Sequence, residues 1–240
     1  MKKVFYLFVT LIAAAACVDE KPVEKTGYEV FNICLVLDGT DVVSNQYSVP
    51  KVSVDEILEL SKVITKEGQG TLYVTYIDDQ AENNTPAIFE HYVEDPMTAP
   101  VKQPYVEVAA YEKEVQAYER WCKDNDAEIA LELEDFRNQC MKIVSTAYSE
   151  RISGPYKNSD VNGAVAQAVK LLEGSATPQS KSFILMVSDG VDNIGKEQPS
   201  LPVGVELLLV NGSTSDHSLA YVTRELATLP QAESIIFKNL

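Results

Sequence analysis

Two stretches of the chain are nearly unbroken apolar runs that stop at an acid and a glycine. One is NICLVLDGTD, Asn32 to Asp41; the other is KSFILMVSDGVDN, Lys181 to Asn193. Continuous runs, as opposed to alternating ones, read as strands buried on both faces of a parallel sheet. Their expected spans are Tyr28–Leu37 and Phe183–Val187, with further strands at Thr71–Ile77, Ile88–Val93, Val203–Val210 and Ser234–Phe237. Helical patterns fall between them. In Val52–Thr65, Ser53 is placed to cap the helix with Glu56 at the capping-box position. Ile57, Leu58, Leu60, Val63 and Ile64 make its apolar face, and Gly68 stops it. Val161–Leu172 repeats apolar residues at spacings of three and four, with Gly174 beyond its end, and Ser218–Leu226 is a third helix. Strands alternating with helices of this length predict an α/β fold, a doubly wound and mostly parallel sheet flanked by helices.

One segment breaks the alternation. From about residue 105 to 148 there is no strand signal, and Tyr111, Val115, Tyr118, Cys122, Ile129, Leu133, Phe136, Cys140 and Ile143 recur at spacings of three, four or seven. This is a long helical insertion. It is either one amphipathic helix of roughly 60 Å at 1.5 Å per residue, or a hairpin broken near Lys123–Asp126. A stripe of this kind usually faces a core, and left exposed it is a docking face.

The chain starts with a different kind of pattern. Met1-Lys2-Lys3, an apolar stretch from Val4 to Ile12 too short to span a bilayer, and the small residues Ala13 to Ala16 lead to Cys17. Small residues directly before a cysteine resemble a bacterial lipoprotein signal. That implies a signal peptide over residues 1–16, a lipid-carrying Cys17, a tether over 17–27 and one domain over 28–240 in the cell envelope. An ordinary secretory peptide cleaved nearby is the alternative.

The whole chain carries 20 basic and 36 acidic residues, a net charge of −16. Loss of Lys2 and Lys3 with the signal would leave 18 against 36. Such a surface excludes nucleic acid or anionic lipid held by charge, so lipid on Cys17 is the expected link to the membrane. Cys34, Cys122 and Cys140 are an odd number for disulfides. Cys34 belongs to an apolar strand, and Cys122 and Cys140 are not spaced to pair with each other along a helix. His91 and His217 are isolated, so no zinc spacing is present.

The candidate chemistry lies at the strand ends. Asp38-Gly39-Thr40, Asn158-Ser159-Asp160 and Asp189-Gly190 all arrive where open α/β sheets place their sites, outside the carboxyl ends of strands. Carboxylates and hydroxyls are hard oxygen donors that suit Mg²⁺, Mn²⁺ or Ca²⁺. Such a cation would relieve the repulsion expected between Asp38 and Asp189.

These segments resemble the von Willebrand factor A-type domain. Its metal-ion-dependent adhesion site combines Asp-x-Ser-x-Ser after the first strand, a Thr before a central helix and an Asp, often Asp-Gly, after a later strand. Asp38 matches the first Asp, Thr40 the first Ser, Ser159 the Thr and Asp189 the last Asp. SDVNGAVAQAVKLL resembles the helix after the Thr, and ILMVSDGVDN the last motif. Val42 stands where the motif has its second Ser, which leaves the set one hydroxyl short. The resemblance implies a metal set of Asp38, Thr40, Ser159 and Asp189, and a protein partner that supplies a carboxylate to the cation.

Two other classes stay open. A metal-independent envelope scaffold would work through the helical segment 105–148. A hydrolase is suggested by LDGTD, which superficially resembles the Asp-x-Asp start of haloacid dehalogenase-type phosphatases, but residue 40 is Thr and Asp41 falls one place too far. No Ser-His-Asp elbow, phosphate-binding loop or dinucleotide motif is present, which favours a binding module over an enzyme.

Overall fold

In the computed structural model the described residues are 29–40, 49–93, 97–102, 105–149, 151–152, 158–175, 177, 180–211 and 219–238. The expected signal peptide, Cys17, the tether, Asp41, Val42 and His217 lie outside them. No described helix is long and apolar enough to cross a membrane.

The strands are β1 (Glu29–Asp38), β2 (Gly68–Ile77), β3 (Ala87–His91), β4 (Lys181–Val187), β5 (Val205–Val210) and β6 (Arg224–Leu226). They form one sheet in the order β3-β2-β1-β4-β5-β6. Every pairing is parallel except β2 with β3. The helices are α1 (Val54–Glu67), α2 (Val108–Ala147), α3 (Val161–Ser175) and α4 (Leu229–Ile236).

Both faces of the sheet are covered, which is why its central strands read as unbroken apolar runs. Along β1, Phe31, Ile33, Leu35 and Leu37 face a core closed by α1, α2 and α4. Cys34 and Val36 face a second core closed by α3. A continuous run is thus two alternating sets, one for each layer. α1 starts as its sequence implies: Glu56 N–H donates to Ser53 Oγ at 3.3 Å, and Ser53 N–H donates to Glu56 Oε2 at 2.8 Å. Gly68 both ends α1 and opens β2.

Three expectations are corrected. Ser234–Phe237 is not a strand but the tail of α4, whose start carries a Thr228/Gln231 capping box and a proline in the first turn. Leu229, Ala232 and Ile236 are its buried side, a helical spacing hidden behind an apparent β-branched run. Ser218–Leu226 does not yield a helix over its described part. Thr223 N–H donates to Leu207 O and Leu207 N–H to Thr223 Oγ1, which steer the chain into the short edge strand β6. The antiparallel β3 stays within the mostly parallel sheet that was expected. Gly174 lies inside α3, not beyond it.

The insertion is one unbroken helix of 40 residues. Lys123 to Asp126 are charged or polar, but none is Gly or Pro, and an exposed helix tolerates such a stretch. Cys122 and Cys140, about 27 Å apart along that helix at 1.5 Å per residue, are free thiols, as is Cys34. Burial pushes the thiols of Cys34 and Cys140 up to about 12, so both are inert core residues.

Candidate metal centre

The strand order reverses between β1 and β4: one half of the sheet winds outward through β2, the other through β5. The crevice beyond the carboxyl ends of β1 and β4 is where ligands bind in open α/β sheets. Asp38 is the last residue of β1, and Ser188 and Asp189 follow directly on β4.

All four residues of the expected set lie here and all are buried: Asp38, Thr40, Ser159 and Asp189. Asp38 is the hub. Its Oδ1 accepts from Thr40 N–H at 2.9 Å and from Thr40 Oγ1 at 2.5 Å. Its Oδ2 accepts from Ser188 Oγ at 2.6 Å and from Ser159 Oγ at 3.5 Å. Asp189 turns its Oδ1 to Val191 N–H at 2.8 Å and joins the cluster through its neighbour Ser188.

This changes the electrostatic expectation. The charge on Asp38 is not left to repel Asp189 unopposed, because three hydroxyls and one amide already donate to it. Hydrogen bonds to the ionised form stabilise a buried carboxylate.

Backbone geometry brings these groups together. Gly190 has φ of 77°, a left-handed value that lets the chain leave β4 immediately after Asp189, and its N–H donates to Ser188 Oγ at 2.9 Å. A Cβ on Gly39 would stand 1.7 Å from the carbonyl oxygen of Ala147, so the end of α2 presses directly on the Asp38–Thr40 turn. Tyr148, the next residue, accepts from Val52 N–H at 3.0 Å. Burial raises its phenol above the ordinary range, and the nearby charges of Asp38 and Glu56 raise it further.

Ser159 is clasped by the third loop. Its N–H donates to Asn193 Oδ1 at 2.7 Å, and Asn193 N–H returns to Ser159 O at 3.2 Å. Asp192 Oδ2 accepts from Asn162 N–H at 2.9 Å, tying the same loop to the first turn of α3. Asp160, although adjacent to Ser159, faces elsewhere. Its Oδ1 accepts from Gly163 N–H, and its Oδ2 pairs with Lys196 Nζ at 2.7 Å. That hydrogen bond raises the Lys196 ammonium above its usual range, with Glu82 at 3.2 Å adding to the effect.

Ser188, Asp192 and Asn193 were missed by sequence reasoning. Ser188 had a legible signal, since it stands between the buried run and Asp189. The pairing of Asn193 with Ser159 spans 34 positions and has no local signature. Among the described residues, no three of His, Cys, Asp and Glu gather as a metal cage. The cluster offers hydroxyls and two carboxylates instead, and each hydroxyl keeps lone pairs while donating to Asp38. This donor set fits a hard divalent cation that retains waters, and does not fit zinc.

No protein-family model matches the chain, and no curated protein matches it in sequence.

Proposed function

We propose that this chain is a lipid-tethered envelope protein whose von Willebrand factor A-like domain binds a protein partner through a divalent cation. The observation that carries this reading is the buried convergence of Asp38, Thr40, Ser159 and Ser188 beside Asp189 at the point where the winding reverses. Asp38, Thr40, Ser159 and Asp189 would hold Mg²⁺, with Mn²⁺ and Ca²⁺ as alternatives. The cation would supply an open coordination position for a partner's carboxylate. Lipid on Cys17 would keep the domain at the membrane, and the acidic balance of the chain turns nucleic acid away.

A cation that binds only the folded state stabilises it in proportion to ln(1 + [L]/Kd), about 1.4 kcal/mol at ten times Kd. Millimolar Mg²⁺ or Mn²⁺ is therefore expected to raise the melting temperature of the full-length protein, and Asp189→Ala to abolish the rise. A melting curve unmoved by metal sinks the cation. Crosslinking in intact cells, with and without chelator, tests the partner, and mass spectrometry of the mature N-terminus tests for a diacylated Cys17.

A further inference from the structure

Helix α2 carries a second surface, far from the strand-end cluster. Its apolar stripe advances by threes and fours from Tyr111 to Ala147, with one step of seven between Cys122 and Ile129, and so keeps to one face of a straight helix. The two halves of that face differ in what covers them. Phe136, Cys140, Ile143 and Ala147 are buried against the sheet. From Val108 to Asp135 no residue is buried, and no residue of α2 before Leu133 belongs to either core. Tyr111, Val115, Trp121, Cys122 and Ile129 remain half-buried there. Just ahead of the helix, Val101 is 80% and Tyr105 97% exposed.

Charge around the stripe decides what fits it. In the outer half the stripe advances in heptads, and Glu112, Glu119 and Asp126 flank it on one side. Glu114 and Glu128 flank it on the other, with Trp121 between them. Lys113 and Arg120 fall on the opposite side of the helix. Between Glu107 and Glu128 seven acids stand against three bases. A second copy of the chain would lay one acidic row against another, an arrangement that heptad flanks use to reject partners. An anionic membrane is repelled for the same reason.

We propose that the outer half of α2, Val108 to Leu131, is a docking surface for an amphipathic helix of a partner protein. That helix would carry apolar residues at heptad spacing and Lys or Arg on both flanks. The surface stands on its own residues and works without a cation.

The probe is a synthetic helical peptide of about three heptads with Leu and Ile in the seam and Lys at the flanks. A twin peptide carries Glu at the flanks. Titrated against the full-length protein in mild detergent, the Lys peptide is expected to bind at least about tenfold more tightly than its twin. Its affinity should fall as salt rises and should not change with chelator. Trp121→Ala, a half-exposed site outside the core, and Glu114→Lys with Glu128→Lys should each weaken binding about tenfold at an unchanged melting temperature. Equal affinity for the two peptides overturns the proposal, as does binding that the charge reversals leave intact. Concentration-dependent dimerisation of the protein lost in Trp121→Ala overturns it too, because a second copy would then occupy the face. A response to metal without peptide binding would leave the cation reading standing alone, and the reverse result would leave this one standing.

Discussion

The two ends of the sheet use the same chemical groups in opposite ways. At the carboxyl end, Asp38 is 2% exposed; its Oδ1 accepts from Thr40 in its own turn, and its Oδ2 from Ser159 and Ser188 on two other segments. At the amino end, Glu29 pairs with Lys181 at 2.5 Å and Glu206 with Arg224 at 3.9 Å, with side chains between 35% and 53% exposed. Lys181, Glu206, Arg224 and Lys238 line an open cavity of ≈ 360 Å³ there. One end buries two carboxylates, Asp38 and Asp189, and holds Asp38 in a closed hydrogen-bond network. The other spreads several charges over partly exposed ion pairs. The first arrangement is expensive to disturb and suited to precise coordination, and the second is neither.

Glycine replacement gives the largest contrast. At the carboxyl end, Gly39→Ala drives a methyl group into the backbone carbonyl of Ala147. Neither α2 nor β1 can yield cheaply, so a loss of about 3 kcal/mol or more is expected. At the amino end, Gly174 lies in the last turn of α3, and a Cβ there meets nothing within 4 Å. Gly174→Ala should stabilise the protein by roughly 0.5 kcal/mol through helix propensity and a less flexible unfolded chain. Urea unfolding of the two variants checks both signs. Losses of equal size would erase the distinction between a crowded end and an open one.

Next in size is Ser188→Ala. Ser188 is fully buried, donates to Asp38 Oδ2 and accepts from Gly190 N–H. Removing its hydroxyl withdraws one donor from a buried carboxylate and orphans a buried amide, at a cost of about 1–3 kcal/mol. Asp38→Ala should also destabilise the metal-free protein, because it leaves the Thr40 and Ser188 hydroxyls without their acceptor. This outcome is opposite to the one that carboxylate repulsion by itself would produce. If Asp38→Ala raised the melting temperature without metal, repulsion would dominate and the hydrogen-bond account of this end would fall.

The contrast was only half legible in the sequence. Asp38 and Asp189 were visible because each closes a run whose burial on both faces dictates its composition. Thr40 followed from its place beside one of those ends, and Ser159 from its place just before the helical pattern that starts at Val161. Ser188 stands between the buried run and Asp189, but that place alone does not show that it joins the Asp189 segment to Asp38. Asn193 and Ala147 reach the cluster over long sequence separations, and no local pattern marks such contacts. Elsewhere, Ile235-Ile236-Phe237 mimicked a strand because β-branched residues can also form a helical face once a capping box sets the start. α2 looked breakable at Lys123–Asp126 because polarity there was read as a turn, when only exposure was meant.

The smallest effect tests the amino end. Lys181 Nζ pairs with Glu29 Oε2 and also lies 5.5 Å from the centre of the Phe31 ring. Both side chains are more than a third exposed, so solvent screens the pair, and exposed ion pairs of this kind contribute about 0–1 kcal/mol. An exposed cation–π contact adds roughly 0.5 kcal/mol more. Lys181→Gln should therefore lower stability by about 1 kcal/mol or less, and most of the difference should vanish at roughly 1 M salt, where the Debye length shrinks to ~3 Å. Ser188→Ala, which acts inside a closed network, should keep its full cost under the same salt. Denaturant midpoints of the two variants at low and high salt decide the matter. A Lys181→Gln loss as large and as salt-resistant as that of Ser188→Ala would show the amino end to be a closed network as well, and the open cavity beside it would then have to be read as a built site.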